Sequence, residues 1–297
     1  MADPQAGIFA LGTASHAYLE FDAAAGRHAE LVTAIASLRE PRTTMGGVNL
    51  VAGFRPTLWR EVAPDDAPAD VSDFVEEISG VDGYVMPATQ HDAVLWLSGS
   101  AYDVIFDVAR GAIGELRDVG TVADETSSWP YQHDRDLTGF VDGTENPSLI
   151  DAQDVAVIPQ SAPGAGGSVL LLQKWEHDAA GWESLPVEEQ ERAMGRTKPD
   201  SLELEDKELQ SHVGSTDQDR FGKIFRRNMP YGTVTAHGTM FVGFSSDQRR
   251  LAAMLESMAG LTTGTRDALT SYTKPLSGAY YFVPSTESLR RFSAPEE

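Results

Sequence analysis

The sequence predicts an α+β fold built from two tandem halves. In each half, segments with the period-2 apolar alternation of strands are followed by a segment with helical apolar spacing. The segment HDAVLWLSGSAYDVIFDVA in the first half aligns with HGTMFVGFSSDQRRLAAML in the second. The alignment sets His91 against His237, about half of the chain length apart. We interpret this similarity as a weak internal duplication of one α+β unit.

Four strands and one helix are predicted in the first half. The strands are Ile8–Leu11, Ala17–Phe21, Val48–Phe54 and Ala93–Leu97. After Ser100, four apolar residues recur at positions i, i+3, i+4 and i+7 of one helical face, namely Tyr102, Ile105, Phe106 and Ala109. A polar, turn-rich stretch at 127–147 follows. We therefore predict a first half at residues 1–138 and a second half at residues 139–297.

The second half repeats the order of strand and helix. Val169–Lys174 and Met240–Phe244 are predicted strands, and a helix follows the latter. Its apolar face consists of Leu251, Met254, Leu255 and Met258. The acidic stretch at 183–208 is typical of a solvated helix followed by an extended loop.

Composition excludes several classes of protein. The chain has 297 residues, 41% of them hydrophobic, and 23 basic residues against 45 acidic ones, so no phosphate-binding basic stripe is expected and nucleic acid is not a predicted partner. No apolar run approaches the roughly 20 residues of a membrane span, and the start lacks a basic leader, so we expect a cytoplasmic protein without a membrane partner. The absence of cysteine excludes disulfides, iron–sulfur clusters and thiolate-ligated haem.

The string DRDLTGFVDGTENP at 134–147 is the most unusual in the chain. Gly139, Gly143 and Pro147 impose tight turns around the carboxylate of Asp142, an arrangement that can hold a buried acid rigidly. An Asx turn in a surface loop fits the same string. The seven histidines include no His-x-x-x-His or His-Glu-x-x-His pair, so no two-histidine metal site is predicted.

The string KIFRRNMPYG at 223–232 alternates with the period of a strand. Ile224, Arg226 and Asn228 fall on one face, and Phe225 and Arg227 fall on the other. An arginine and an amide that share a face with an apolar residue are suited to the lining of a pocket. An edge strand that carries charges against aggregation would have the same pattern, and both interpretations stay open at this point.

Taken together, several strings resemble one family, the dye-decolourising peroxidases, and in particular their bacterial subgroup often called class B. GFVDG at 139–143 fits the family's Gly-x-x-Asp-Gly motif, and TENP continues it. Further strings follow in the family's order, and they span most of the chain: PATQHD at 87–92, WESLPVEEQERAMGRTK at 182–198, SHV at 211–213, RRNMPYG at 226–232 and RDALTSYTKPLSGAYYFVPS at 266–285.

This resemblance implies a fold, a cofactor and an activity. The fold would be two ferredoxin-like halves with antiparallel sheets and peripheral helices, with one haem b per chain in the C-terminal half. The enzyme would reduce hydrogen peroxide to water through a ferryl intermediate and oxidise dyes, phenols or other small-molecule reductants. Family members commonly form homo-oligomers, so we expect self-association.

The resemblance also implies site residues. His212 would be the proximal iron ligand, and Asp267 would accept its other N–H. Asp142 would move the peroxide proton, Arg226 would stabilise the developing negative charge and could pair a propionate, and Asn228 would add a hydrogen bond. Residues placed next to the haem by the same motif are Gly143, Glu145 and Asn146.

Two other classes of function remain possible from the sequence. The first is a non-catalytic haem carrier or haem-processing protein on the same scaffold, although storage alone gives no reason for an acid and an arginine at the open coordination position. The second is a binding or structural protein without a cofactor, in which the Gly-Asp-Gly loop and the arginine strand pair with each other.

Overall fold

The computed structural model describes residues 2–38, 47–132 and 134–294. One of the seven histidines, His133, lies outside these ranges. The strands are β1 Ser15–Ala23, β2 Asn49–Phe54, β3 Ile78–Ser79, β4 Val85–Met86, β5 Ala93–Gly99, β6 Gly120–Ser128, β7 Ser168–His177, β8 Phe225–Arg226, β9 Met229–Gly232, β10 His237–Ser245, β11 Thr273–Pro275 and β12 Ala279–Val283. The helices are α1 His28–Ser37, α2 Pro56–Val62, α3 Tyr102–Leu116, α4 Leu149–Ala156, α5 Ala179–Glu183, α6 Val187–Met194, α7 His212–Ser215, α8 Gln218–Phe221, α9 Gln248–Met258 and α10 Thr286–Arg290.

The main sheet closes on itself as an antiparallel barrel. Its strand order includes β7-β12-β2-β5-β1-β6-β9-β10, and β10 pairs again with β7. Strands β2, β5, β1 and β6 come from the first half of the chain, and β12, β7, β10 and β9 come from the second. The two groups meet at single residue pairs, Phe282 with Phe54 and Ser128 with Tyr231.

The predicted α+β class is confirmed as a mixture of helices and an antiparallel sheet. The predicted strands at Ala17–Phe21, Val48–Phe54 and Ala93–Leu97 lie in β1, β2 and β5, apart from Val48, which precedes β2. The predicted helices are α3 and α9. Within the described residues, no helix combines the length and apolar composition needed to span a bilayer.

The predicted strand Ile8–Leu11 is wrong, because a short 3-10 helix occupies Ala6–Phe9 instead. The backbone carbonyls of Ile8 and Ala10 accept hydrogen bonds from the guanidinium of Arg227, at 2.9 and 2.6 Å. A side chain remote in sequence thus provides the partners that a neighbouring strand would otherwise provide. Apolar alternation alone does not reveal such a partner.

Alternation along β1 separates the barrel interior from its outer layer. His16, Tyr18 and Glu20 are buried on the interior face, while Leu19 and Phe21 pack on the opposite face with residues of α1 and α3. The interior is therefore only partly apolar. His16 and Glu20 have hydrogen-bond partners there, whereas the Tyr18 hydroxyl has none among the described residues.

One end of the interior contains a stack of aromatic rings. The indole N–H of Trp96 donates a hydrogen bond to His16 Nδ1 at 3.1 Å, and Tyr18 and Phe244 stack on Trp96. The guanidinium carbon of Arg227 lies 5.0 Å from the centre of a Trp96 ring. Burial lowers the pKa of Arg227 to about 10, so the group is still a cation at neutral pH.

The barrel interior also holds a carboxyl group. Glu20 accepts a hydrogen bond of 2.9 Å from the Tyr281 hydroxyl. Burial raises the pKa of Glu20 to about 7, partly offset by that hydrogen bond. The nearby Lys174 is paired with Asp124 at 2.6 Å. Glu20 thus changes charge in a pH range in which ordinary carboxyl groups are ionised.

Replacement of Glu20 by Gln is expected to remove one pH dependence of stability. Between pH 4.5 and about 7 the folded chain holds a proton on Glu20 that the unfolded chain releases. The contribution of Glu20 to the free energy of unfolding therefore falls as pH rises through this window, by up to about 3 kcal/mol at about 1.4 kcal/mol per pKa unit. Glu20→Gln, which keeps an acceptor for Tyr281, should not show this loss.

Urea unfolding at about pH 5 and about pH 7 measures the difference. Glu125→Gln is the control, because Glu125 is exposed on the neighbouring strand β6 and should leave the wild-type pH dependence intact. Equal pH dependence in Glu20→Gln and wild type would show that Glu20 does not titrate in this range.

Candidate active site

A cavity lies on the outer face of the second-half strands. It is enclosed by β7 and β10 on one side and by α7, α9 and the loop at 136–145 on the others, and its empty space is about 1480 Å³ including the opening to solvent. Much of the lining is apolar: Phe140, Leu171, Trp175, Met194, Ile224, Phe241, Leu251, Met254, Leu255, Met258 and Leu269. Such a lining suits a large, mainly apolar group.

His212 is the first residue of α7 and lines this cavity. The hydroxyl of Ser211 caps the helix by accepting a hydrogen bond from the Gly214 N–H, so the start of the helix is fixed. The imidazole Nδ1 lies 2.8 Å from Asp267 Oδ2. The position of the imidazole is therefore set by both backbone and side-chain contacts.

Asp267 is fully buried and precedes a 3-10 turn. Its Oδ1 accepts the N–H of Leu269 at 2.9 Å, and its Oδ2 faces His212. A carboxylate oxygen accepts, so we assign the histidine proton to Nδ1. The lone pair on Nε2 is then available to a metal ion.

Asp142, Arg226 and Asn228 form a second polar group on the cavity wall. Asp142 Oδ1 accepts the N–H of Gly143 at 2.8 Å and the side-chain amide of Asn228 at 3.4 Å, and it lies 3.9 Å from Arg226. The side-chain oxygen Oδ1 of Asn228 accepts a hydrogen bond of 3.0 Å from the N–H of Val242, which fixes the orientation of the side-chain amide. The predicted alternation at 224–228 is confirmed, because Ile224, Arg226 and Asn228 all line the cavity.

The backbone of Arg226 is held by one side chain. Asn146 Oδ1 accepts the N–H of Arg226 at 2.8 Å, and Asn146 Nδ2 donates to its carbonyl at 2.9 Å. The amide of Asn146 thus pairs with Arg226 as a neighbouring strand would. The guanidinium is positioned by a residue that follows the Gly-Asp-Gly motif.

The polar atoms of the site fit an anionic or metal-bearing ligand. Nε of Arg226 is buried and has no hydrogen-bond partner among the described residues, an arrangement that is costly unless a bound group accepts from it. Across residues 2–38, 47–132 and 134–294, no three histidine or carboxylate side chains cluster as a metal site. The free Nε2 of His212 is thus suited to a metal whose other ligands come from an organic macrocycle such as haem.

The remaining predicted residues lie on two cavities. Glu145 lines the main cavity and pairs with Arg196, which is itself buried. Gly143, with φ of +74°, and Asn146 line a neighbouring cavity. The buried Arg196 also shows that the stretch at 183–208 is more than a solvated surface, since its guanidinium joins two loops.

Sequence reasoning did not identify Asp136, which lines both cavities. Asp136 lies in the string DRDLTGFVDG, which we did single out in the sequence. The string contains three aspartates, and the sequence does not indicate which of them face the cavity. The function of Asn146 as a clamp on Arg226 was also missed, because the two residues are 80 positions apart.

The fold and the site together define a class of protein. An antiparallel α+β barrel carries a cavity in which one imidazole offers a free nitrogen, and an acid and an arginine form a pair on the same cavity wall. This combination is suited to peroxide chemistry at a metal centre, because one group moves a proton and another stabilises negative charge.

Comparison with known proteins identifies the family. Residues 133–288 match the family model described as Dyp-type peroxidase, C-terminal. A dye-decolorizing peroxidase of Brevibacterium linens is 36% identical over 252 residues, 82% of this chain and 68% of the relative. A putative Dyp-type peroxidase structure from Shewanella oneidensis has a TM-score of 0.89 at 30% identity and covers 99% of this chain and 100% of its own. DyPB from Rhodococcus jostii RHA1 has a TM-score of 0.85 at 30% identity, covering 98% and 99%.

The chain belongs to the dye-decolourising peroxidase family. It is a peroxidase, an oxidoreductase that uses peroxide as electron acceptor. The predicted family is confirmed, while the function of each residue in the site is a separate question.

Asn146→Ala is expected to disturb the site without removing a group that faces the main cavity. The backbone N–H and carbonyl of Arg226 would lose their partners, at a cost of about 1–3 kcal/mol in the free energy of unfolding. The guanidinium would lose its fixed position, and reaction with peroxide should slow. Urea unfolding and rapid mixing with peroxide measure the two effects.

Asn49→Ala is the control, because among the described residues the Asn49 side chain makes one hydrogen bond, of 3.3 Å, in the first half of the chain. It should change neither quantity by a comparable amount. A native rate and native stability in Asn146→Ala would mean that the clamp does not position Arg226.

Proposed function

We propose that the chain is a haem peroxidase in which His212 ligates the iron and Asp142, Arg226 and Asn228 act on hydrogen peroxide. The hydrogen bond between His212 and the buried Asp267 carries this proposal, because it leaves Nε2 directed to a metal inside the cavity. Variants of the Rhodococcus jostii protein are described in complex with heme. Haem is therefore the cofactor of this family, and we propose one haem b per chain.

Two residues prepare the proximal side. Asp267 accepts the Nδ1–H of His212, which makes the imidazole a stronger electron donor through Nε2. Because Asp267 is fully buried, water does not compete for this hydrogen bond. Bound haem would supply an iron that takes up peroxide and stores oxidising equivalents.

Three residues of the second polar group handle the peroxide. Ionised Asp142 accepts the proton of one peroxide oxygen and returns it to the departing oxygen, which leaves as water. Arg226 stabilises the negative charge that develops as the O–O bond breaks. Asn228 orients Asp142 through its amide. Small-molecule reductants then provide two electrons, one at a time.

Contacts of the remaining predicted residues support their placement near the haem edge. Glu145 lines the cavity, and Gly143 donates its N–H to Asp142. Asn146 acts indirectly, because its side chain holds the backbone of Arg226. The non-catalytic haem carrier is not favoured, since carriage alone does not require Asp142 and Arg226 on the cavity wall. Membership of the peroxidase family also argues against the hypothesis of a binding or structural protein without a cofactor.

We also infer that residues 1–138 and 139–297 are two ferredoxin-like halves, with haem in the second. Each half contributes four strands to the closed barrel. The order β2-β5-β1-β6 and the order β9-β10-β7-β12 each place the second, third, first and fourth of these four strands side by side. Exposed Ile150 and Val234 support the proposed homo-oligomer, since such side chains favour burial against another surface. Cytoplasmic location remains a proposal from the sequence.

His212→Ala is expected to abolish the native axial ligation, because its Nδ1 is held by a buried carboxylate and its Nε2 is left for the metal. His177 also lines the cavity, but its Nε2 contacts the Thr239 hydroxyl. The absorption spectrum of the haem-reconstituted protein should change, and peroxidase activity should be lost. His237→Ala is the matched control, since His237 is not part of the cavity lining and bonds to a backbone carbonyl. An unchanged spectrum and full activity in His212→Ala would assign the ligand elsewhere.

Arg226→Leu is expected to slow the reaction with peroxide more than Asp142→Asn does. Loss of the fixed charge should cost on the order of 10²-fold or more, and loss of the proton shuttle about 10²- to 10⁴-fold. We rank Arg226 first because water can replace a shuttle but not a fixed charge. Rapid mixing with peroxide, followed by absorption, measures this step apart from donor oxidation. A native rate in Arg226→Leu with no reaction in Asp142→Asn would reverse the ranking.

A further inference from the structure

The loop at 134–142 presents a second carboxyl group beside Asp142. Arg135 and Val141 pair as in an antiparallel ladder, and Asp142 N donates to the Asp134 carbonyl at 2.7 Å. Asp136 N donates to the Phe140 carbonyl at 3.0 Å, one step further along the same ladder. Positions 136 and 142 therefore share one face as diagonal neighbours.

The two oxygens of Asp136 have different surroundings. Oδ1 accepts the N–H of Thr138 at 2.8 Å and also accepts the Thr138 hydroxyl. Oδ2 accepts no hydrogen bond from the residues that the structure describes. One oxygen thus holds the turn, and the other faces the cavities that Asp136 lines.

Asp136 lies in the wall between the main cavity and its neighbour. The neighbouring cavity has about 1590 Å³ of empty space including its opening to solvent, and it is lined by polar and apolar residues that include Thr13, Tyr131 and Asp134. Both cavities are lined by Asp136 and Asp142. A polar cavity of this size has room for ordered water.

Burial raises the pKa of Asp136 to about 6, and the charge of Asp142 acts in the same direction. The two hydrogen bonds from Thr138 oppose this rise. The charge of Asp142 that acts on Asp136 comes from the same loop. A carboxyl group of this kind gives up and takes up protons near neutral pH.

Turnover requires protons inside the site. Reduction of one hydrogen peroxide to two waters takes two electrons from the reductants and two protons from outside the cavity, while the proton that Asp142 moves between the peroxide oxygens is returned. Protons from outside the cavity must therefore reach the groups around Asp142 in every cycle.

We propose that Asp136 relays protons from water in the neighbouring cavity to Asp142. The inference rests on the proposed function of Asp142. Asp136 does not touch peroxide in this proposal. It acts through Asp142, to which it passes protons.

The variant Asp136→Asn removes the proposed proton relay but keeps the hydrogen bonds by which residue 136 stabilises the turn. The amide oxygen of Asn still accepts both hydrogen bonds from Thr138, but the side chain carries no exchangeable acid proton at these pH values. Haem content and the urea midpoint should equal those of wild type. Steady-state turnover at saturating peroxide and donor should fall about 10²-fold. The residual rate should rise with the concentration of a small acid such as acetic acid, which wild type should not show.

Asp134→Asn is the matched control, because Asp134 is exposed in the same loop and lines only the neighbouring cavity. It should retain the wild-type rate without a dependence on acetic acid. The double variant Asp136→Asn with Asp142→Asn should be no slower than Asp142→Asn alone, since both residues serve one path. Multiplied losses would overturn the relay.

Infrared titration of the haem-free protein gives a readout independent of activity. The measurement is made in a Glu20→Gln background, because Glu20 also takes up a proton near neutral pH. In that background a protonated carboxyl band should appear as pH falls through about 6, persist when Asp142→Asn is added and be missing when Asp136→Asn is added. Absence of this band from Glu20→Gln, or a native rate in Asp136→Asn, overturns the inference and leaves the function of Asp142 untouched. A slow Asp136→Asn beside a native Asp142→Asn overturns instead the proposed function of Asp142, and with it the acceptor of the relay.

Discussion

Closure of the barrel is the constraint on which the rest of the structure depends. Strand β7 pairs with β12 on one side and with β10 on the other, and this double pairing brings the two halves of the chain into one core. With the interior face filled, the outer face of the same strands is available for a cavity. Gln173 and Trp175 on β7 and Thr239 and Phe241 on β10 therefore line the site as a consequence of strand alternation.

The site depends on backbone groups as much as on its reactive side chains. Asp142 is held by the N–H of Gly143, Asp267 by the N–H of Leu269, and Arg226 by the amide of Asn146 at both its N–H and its carbonyl. Such contacts fix positions before any ligand binds. Preorganised charge is the main means by which an active site stabilises a transition state without rearrangement.

Local patterns in the sequence correctly predicted features that depend on residues close together in the chain, such as strand alternation and tight turns. Alternation placed Ile224, Arg226 and Asn228 on one face, and the tight turns of GFVDG marked the loop around Asp142. Contacts between residues distant in sequence were not predicted. One example is the segment Ile8–Leu11, which was wrongly predicted as a strand and in which the carbonyls of Ile8 and Ala10 accept hydrogen bonds from Arg227. Barrel closure and the Asn146 clamp were missed for the same reason, since one sequence contains no signal of which remote groups pair.

The stack around Trp96 has a consequence for an enzyme that generates a strong oxidant. Trp96 and Tyr18 are buried in the barrel, and Arg227 adjoins Arg226 of the cavity wall on the opposite face of its strand. A cation above an aromatic ring attracts its π electrons and opposes the removal of one of them. Arg227 thus opposes the removal of an electron from Trp96. The same cation is the hydrogen-bond partner of the Ile8 and Ala10 carbonyls, so one side chain both fixes the start of the chain and alters the redox chemistry of the buried indole.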